Sequence, residues 1–200
     1  MKEQDNGRTE ELSSATWQFI VSHREDDVRT LALQARKYPQ VDMAEAVTQI
    51  AGWQIAVRKI PSWAATEGIL YSRHLSMEQC SSEITALYKA SLVGGESFTD
   101  LTAGLGVDCS FLARRFRRAD YVERQETLCR LAAHNFPLLG LDHIQVHHAD
   151  ALEYLREMEP VDCLFLDPAR RDSHGGKTVA ITECEPDVCA LESLLVEKGR

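Results

Sequence analysis

The spacing of hydrophobic positions changes once along this chain, near residue 95. Before that point apolar residues recur at helical intervals. Trp17, Phe19 and Ile20 open one apolar face, and Val28, Leu31, Leu33 and Ala35 form a second. Asp26 or Asp27 is placed to cap this second helix, and Pro39 lies just beyond its end. Ala46, Val47, Ile50 and Val57 mark a third helix from about Met43, which Pro61 stops. A further helix is expected over 82–92, where Ile84, Leu87, Tyr88 and Leu92 share one stripe. Upstream of it, Ser76 and Gln79 spell an S-x-x-Q capping box. Val93-Gly94-Gly95 breaks the pattern.

After Gly95 short apolar runs alternate with helical stretches. Strands are expected at 97–101, 120–123, 144–148 and 161–166, the last a near-continuous apolar run read as buried. Helices are expected at 109–116, 126–139 and 152–158. Such alternation predicts parallel strands joined by crossover helices. The chain therefore reads as α/β, with an all-helical domain over 1–95 and a sheet of about four parallel strands over 96–200. Ligands of such open sheets lie beyond the carboxyl ends of the strands, where strand order switches. That rule singles out four strand tips, at 100–106, at Glu123, at 149–151 and at 167–171.

Composition narrows the picture only a little. With 44% hydrophobic and 26% charged residues the chain is ordinary globular protein, and no run approaches the roughly 20 apolar residues of a membrane span. The N-terminus MKEQDNGRTEE has no apolar signal core. A net charge of −9 argues against a protein that coats nucleic acid by charge alone. Arg114, Arg115, Arg117, Arg118, Arg124 and Arg130 form a basic cluster within the more acidic half, read as a solvated helix face before a phosphate-tracking surface. Six cysteines show no C-x-x-C pair and no His at zinc spacing, which reads as reduced thiols in a cytoplasmic protein with no metal.

The tips carry the chemistry. DLTAGLGVD ends a strand in Asp100 and turns through Gly104 and Gly106. No Lys follows the glycines, so this is not a triphosphate loop. A dinucleotide turn wants a third glycine, yet Cys109 stands there beside Asp108, an acid unsuited to a diphosphate. A ligand with a positive centre fits better, such as S-adenosyl-L-methionine, whose ammonium Asp100 can accept. Glu123 lies seventeen positions beyond Gly106, about where a carboxylate can bind ribose hydroxyls, a feature that suits NAD equally. Asp150 can accept from an adenine amine while the Ala151 amide donates to the ring, or can cap the next helix, or both. VDCLFLDPARRD places Asp167 and Pro168 at the fourth tip, with Pro168 fixing the backbone beside the acid.

Taken in order, DLTAGLGVD, YVE, HHADAL and FLDPARRD resemble the first four motifs of class I S-adenosylmethionine-dependent methyltransferases. The forms D-x-x-A-G-x-G and D-P-A-R are closer to RNA-modifying members. With MEQCSSEITALYKASL ahead of them, they are similar to an uncharacterised bacterial group that carries a C-terminal THUMP-like domain, absent here. The resemblance implies a partial Rossmann-like methyltransferase sheet and S-adenosyl-L-methionine as cofactor, with RNA as substrate and no membrane or metal partner. It implies cofactor contacts at Asp100, Ala103, Gly104, Gly106, Glu123, Asp150 and Ala151. Asp167 and Pro168 become the catalytic edge, and Arg170 and Arg171 the contacts to substrate phosphate. Thr85 and Lys89 could face the cofactor from the preceding helix, which could equally be a plain packing element.

Two departures matter. Arg170 stands where amino-directed methylases carry an aromatic residue for the flipped base. A full sheet of this class also has more than four strands, so these 200 residues are expected to hold only its N-terminal part, with the substrate side incomplete. The rival readings are an NAD-type Rossmann enzyme, a small-molecule methyltransferase, and a non-catalytic RNA-binding module that keeps the fold.

Overall fold

The computed structural model describes residues 12–72, 74–168, 184 and 186–200. Helices begin where short polar side chains accept from the first unpaired amides of the turn. Ser13 caps α1 (Ser14–His23), Asp27 caps α2 (Val28–Leu33) and Asp42 caps α3 (Met43–Lys59). Pro61 opens α4 (Pro61–Ala65), at a position whose amide needs no partner. α5 (His74–Gln79) and α6 (Glu83–Ser91) complete the helical part.

Two expectations for α6 are corrected. Its cap is Ser82, which accepts from the Thr85 amide, while Ser76 and Gln79 lie within α5. The stripe of Ile84, Leu87, Tyr88 and Leu92 faces outward, 51–81% exposed, and α6 buries Ala86 and Ala90 instead. Small side chains let two backbones come close, so the packed face of α6 carries little hydrophobic bulk.

Beyond residue 95 the alternation is as expected. Strands β1 (Ser97–Asp100), β2 (Arg118–Glu123), β3 (Ile144–His148) and β4 (Cys163–Phe165) form one parallel sheet in the order β3-β2-β1-β4. The connections are α7 (Val107–Leu112) with a 3₁₀ turn at Ala113–Arg115, α8 (Glu126–Leu138) and α9 (Ala151–Glu157), and α10 (Val188–Lys198) follows β4. β4 is shorter than the apolar run predicts and half-buried, and among the described strands it pairs with β1 alone. Near its start the chain end meets it, with hydrogen bonds from Val161 N to Lys198 O and from Arg200 N to Val161 O.

Alternate residues of β2 serve opposite faces. Tyr121 joins a cluster that includes Trp63, Ala86, Phe98 and Phe136, so helices from both sides of residue 95 share it. Val122 packs with Leu101 and Leu155 under α9 and α10. Phe19, Ile20, Leu31 and Ile50 form a third cluster within α1–α3. Two buried amide side chains hold the segment ahead of α5. Asn135 of α8 accepts from Leu70 N (2.9 Å) and donates to Leu70 O (2.8 Å). Gln49 of α3 does the same with Tyr71, accepting at 2.8 Å and donating at 2.9 Å. No described helix is long and apolar enough to cross a membrane.

Candidate functional site

Chain order reverses between β1 and β4, so the tips of these strands border a crevice. β1 ends at Asp100, and the chain then turns into α7 through Gly104 (φ +55°) and Gly106 (φ +84°), conformations that disfavour any side chain. Asp100 is 1% exposed. Its Oδ1 accepts from Thr102 N (3.1 Å), whereas Oδ2 is buried with no partner. Burial pushes this carboxyl well above the usual carboxylate range, and Asp108 and Asp167 add to the rise. The Thr102 amide and Lys89 oppose it.

The other tips are tied to this turn. Glu123 at the end of β2 accepts from Gly104 N (3.0 Å) and Gln125 N (2.8 Å), and the Tyr121 hydroxyl donates to Gly104 O (2.6 Å). Asp167 N donates to Thr102 Oγ1 (2.8 Å), which joins the fourth tip to the first. Asp150 caps α9, accepting from Leu152 N and Glu153 N through Oδ1. A cleft of about 890 Å³ lies between the tips. It is lined by Asp100, Ala103, Gly104, Glu123, Asp150, Ala151, Asp167 and Pro168, so these eight sequence-derived residues are brought together.

Gly106 is not among the lining residues. A Cβ there would stand 3.0 Å from Phe136 Cζ and 3.2 Å from Tyr121 Cε2, so this glycine serves the turn and the core beneath it. Arg170 and Arg171 lie outside the described residues. Of the basic cluster Arg124 borders the cleft, while Arg117 pairs with Glu96 and Arg130 with Glu126 on the surface.

Asp108 and Ser81 also line the cleft, a grouping that spacing in the sequence does not show. Lys89 Nζ donates to Asp108 Oδ2 (2.9 Å) and to Ser81 Oγ (3.1 Å), and Ser81 Oγ donates to the same Asp108 oxygen (2.7 Å). Asp108 is thus paired, and its charge alone is a weaker bar to a diphosphate than the sequence suggests. What then favours a donor-bearing ligand is Asp100, a buried acid with one unpartnered oxygen facing the same cleft residues. Carboxylates at every tip suit a ligand with a positive centre and several donors. The volume falls within the range of small-molecule sites. Thr85 is exposed and shares a hydrogen bond with Ser82. Among the described residues no group of three His, Cys, Asp or Glu side chains is arranged to hold a metal ion.

The chain matches no protein-family model and no curated protein. Among solved structures it is similar to a protein of Porphyromonas gingivalis W83 provisionally named a methyltransferase. That match has 29% identity and a TM-score of 0.76, and covers 92% of this chain and 46% of the other. The chain therefore spans about half the length of that structure. More distant likenesses include a precorrin-8w decarboxylase of Methanobacterium thermoautotrophicum (18% identity, 59% and 56% coverage, TM-score 0.44). A SAM-dependent methyltransferase of Agrobacterium tumefaciens is similarly remote (17%, 59% and 39%, TM-score 0.43). The architecture is that of a partial Rossmann-like methyltransferase fold, a helical region followed by four parallel strands.

Proposed function

We propose that the cleft binds S-adenosyl-L-methionine and that the chain is part of a methyltransferase acting on an RNA base. The observation that carries this reading is Asp100, buried at a strand tip with one oxygen unpartnered and further carboxylates beside it. A buried acceptor of this kind is costly unless a donor meets it, and a ligand ammonium supplies both donor and counter-charge. The Porphyromonas gingivalis protein, provisionally named a methyltransferase, supports methyl transfer as the reaction class. The RNA half rests on the forms of DLTAGLG and DPAR in the sequence.

When bound, the cofactor supplies a methyl group made electrophilic by a sulfonium. The chain's own residues then have separate tasks. Asp100 accepts from the ammonium. Gly104, with no atom but Thr102 O within 4 Å of an added Cβ, leaves its side of the cleft open for the ligand. Each Glu123 oxygen keeps a lone pair beyond its backbone hydrogen bond, enough to accept from ribose hydroxyls. Asp150 and Ala151 border the adenine. Asp167 orients the attacking atom or takes up its proton, held by Thr102 and by the stiffness of Pro168. Arg170 and Arg171 would meet substrate phosphate.

Calorimetric titration tests the cofactor half: S-adenosylhomocysteine should bind and NADH should not. NADH binding without the homocysteine analogue overturns the reading in favour of an NAD-type enzyme. Methyl transfer from labelled cofactor, with total RNA, DNA and protein offered separately, tests the acceptor. Label in DNA or protein alone overturns the RNA assignment. Salt-sensitive RNA binding that Asp167→Ala leaves unchanged, with no label transferred, points to a non-catalytic module.

A further inference from the structure

Among the described residues three buried side-chain oxygens have no hydrogen-bond partner, namely Thr99 Oγ1, Asp100 Oδ2 and Asp108 Oδ1. Buried polar atoms are nearly always paired, so each such atom asks for an explanation. Two of these three belong to carboxylates that line the same cleft. Their positions have different origins. Asp100 stands at the end of β1, while Asp108 stands in the first turn of α7.

The two oxygens of Asp108 are unequal. Oδ2 is saturated by Ser81 Oγ and Lys89 Nζ, and Lys89 also lies 5.1 Å from the Phe165 ring centroid. Lys89 does not line the cleft. It engages Oδ2 of Asp108 and leaves Oδ1 with unused acceptor capacity.

We infer that Asp108 is a second contact for the ligand's amino-acid end, sharing a primary ammonium with Asp100. The inference rests on the cofactor reading above. An ammonium has three donors, enough for both unpartnered oxygens with one to spare. A phosphate or carboxylate in the same place would face two acids, one of them buried. Lys89 acts as a positioning residue, since it reaches the ligand through Asp108. Through it α6 is connected to the ligand site, which gives one helix of the N-terminal region a functional task.

The test compares two ligands that differ at this end. S-adenosylhomocysteine carries the amino-acid group and 5′-methylthioadenosine lacks it. Each is titrated calorimetrically into the wild-type chain and into Asp108→Asn. Loss of one charge-assisted hydrogen bond should weaken S-adenosylhomocysteine about tenfold or more, with 5′-methylthioadenosine changed less than about twofold. Asp108→Glu, which keeps the charge beside Lys89, should show the same split to a smaller degree and serves if Asp108→Asn does not fold. Equal weakening of both ligands assigns Asp108 a purely structural role and overturns the inference. Unchanged S-adenosylhomocysteine affinity overturns it as well, while the cofactor reading stands. A wild-type chain that binds neither compound overturns both.

Discussion

Gly104 and Gly106 share one turn and one left-handed conformation, yet alanine at the two positions should fail in different ways. At Gly106 two penalties add. The backbone at φ +84° costs an L residue about 1–2 kcal/mol. The new Cβ would also press on Phe136 at 3.0 Å and Tyr121 at 3.2 Å, rings 2% and 0% exposed that have no room to withdraw. Crowding of that kind costs about 1–3 kcal/mol. The sum, about 2–5 kcal/mol, is a large share of a typical folding free energy. For a chain of this size it lowers Tm by roughly 4–20 °C. At Gly104 the strain applies but the crowding does not, because the nearest atom is Thr102 O at 3.9 Å. Gly104→Ala should lose about 1–2 kcal/mol of stability. Its methyl group enters the cleft, however, and S-adenosylhomocysteine binding should fall by about tenfold or more. Urea denaturation and calorimetric titration on both variants give the four numbers. If Gly106→Ala is as stable as wild type, or Gly104→Ala binds as tightly, the division of labour between the glycines is wrong.

Other outcomes follow from the same geometry. Burial raises the folded-state pKa of Asp100, so its contribution to stability is complete below the ordinary carboxylate value, about 3.9, and is lost as pH rises through the raised value. Asp100→Asn should therefore gain on wild type in urea denaturation between acid and neutral pH, while binding S-adenosylhomocysteine at least about tenfold more weakly; a stability difference that does not move with pH refutes this. In α3 a Cβ on Gly52 would lie 2.2 Å from Tyr71 Cβ, so Gly52→Ala should lose about 1–3 kcal/mol in the same assay despite the helix propensity of alanine. Burial pushes the Cys109 thiol up, and the Cys129 thiol up to about 11. At pH 8 a disulfide-exchange dye should label exposed Cys189 in the folded chain and reach Cys109 and Cys129 only after urea is added.

The sheet was legible because each strand is bounded by residues with one physical meaning. Asp100 and Glu123 close apolar runs, and Gly94-Gly95 and Gly140 stop the helices before β1 and β3. The eight cleft residues followed from the alternation of strand and helix, since parallel strands set all their carboxyl tips on one edge. α6 was misread because the expectation weighed bulk. Ile84 and Leu92 look like a core face, and Ala86 with Ala90 does not, yet close helix contact favours the alanines. Asp108 was visible as a charge, but nothing local reveals that Lys89, nineteen positions earlier, is its partner. Gly106 shows the reverse case, a glycine of the right motif whose missing side chain leaves room for Phe136 and Tyr121.

The paired grip of Gln49 and Asn135 on Leu70 and Tyr71 narrows what evolution can place at those two sites. Each position gives one hydrogen bond to a single peptide group and takes one from it, and Gln49 gives a second to Glu45. A carboxylate of identical shape can take but not give, and an aliphatic residue can do neither. A carboxamide meets both demands from one planar group, so the join between the helices and the sheet is keyed by direction and distance, where grease alone would let the parts slide.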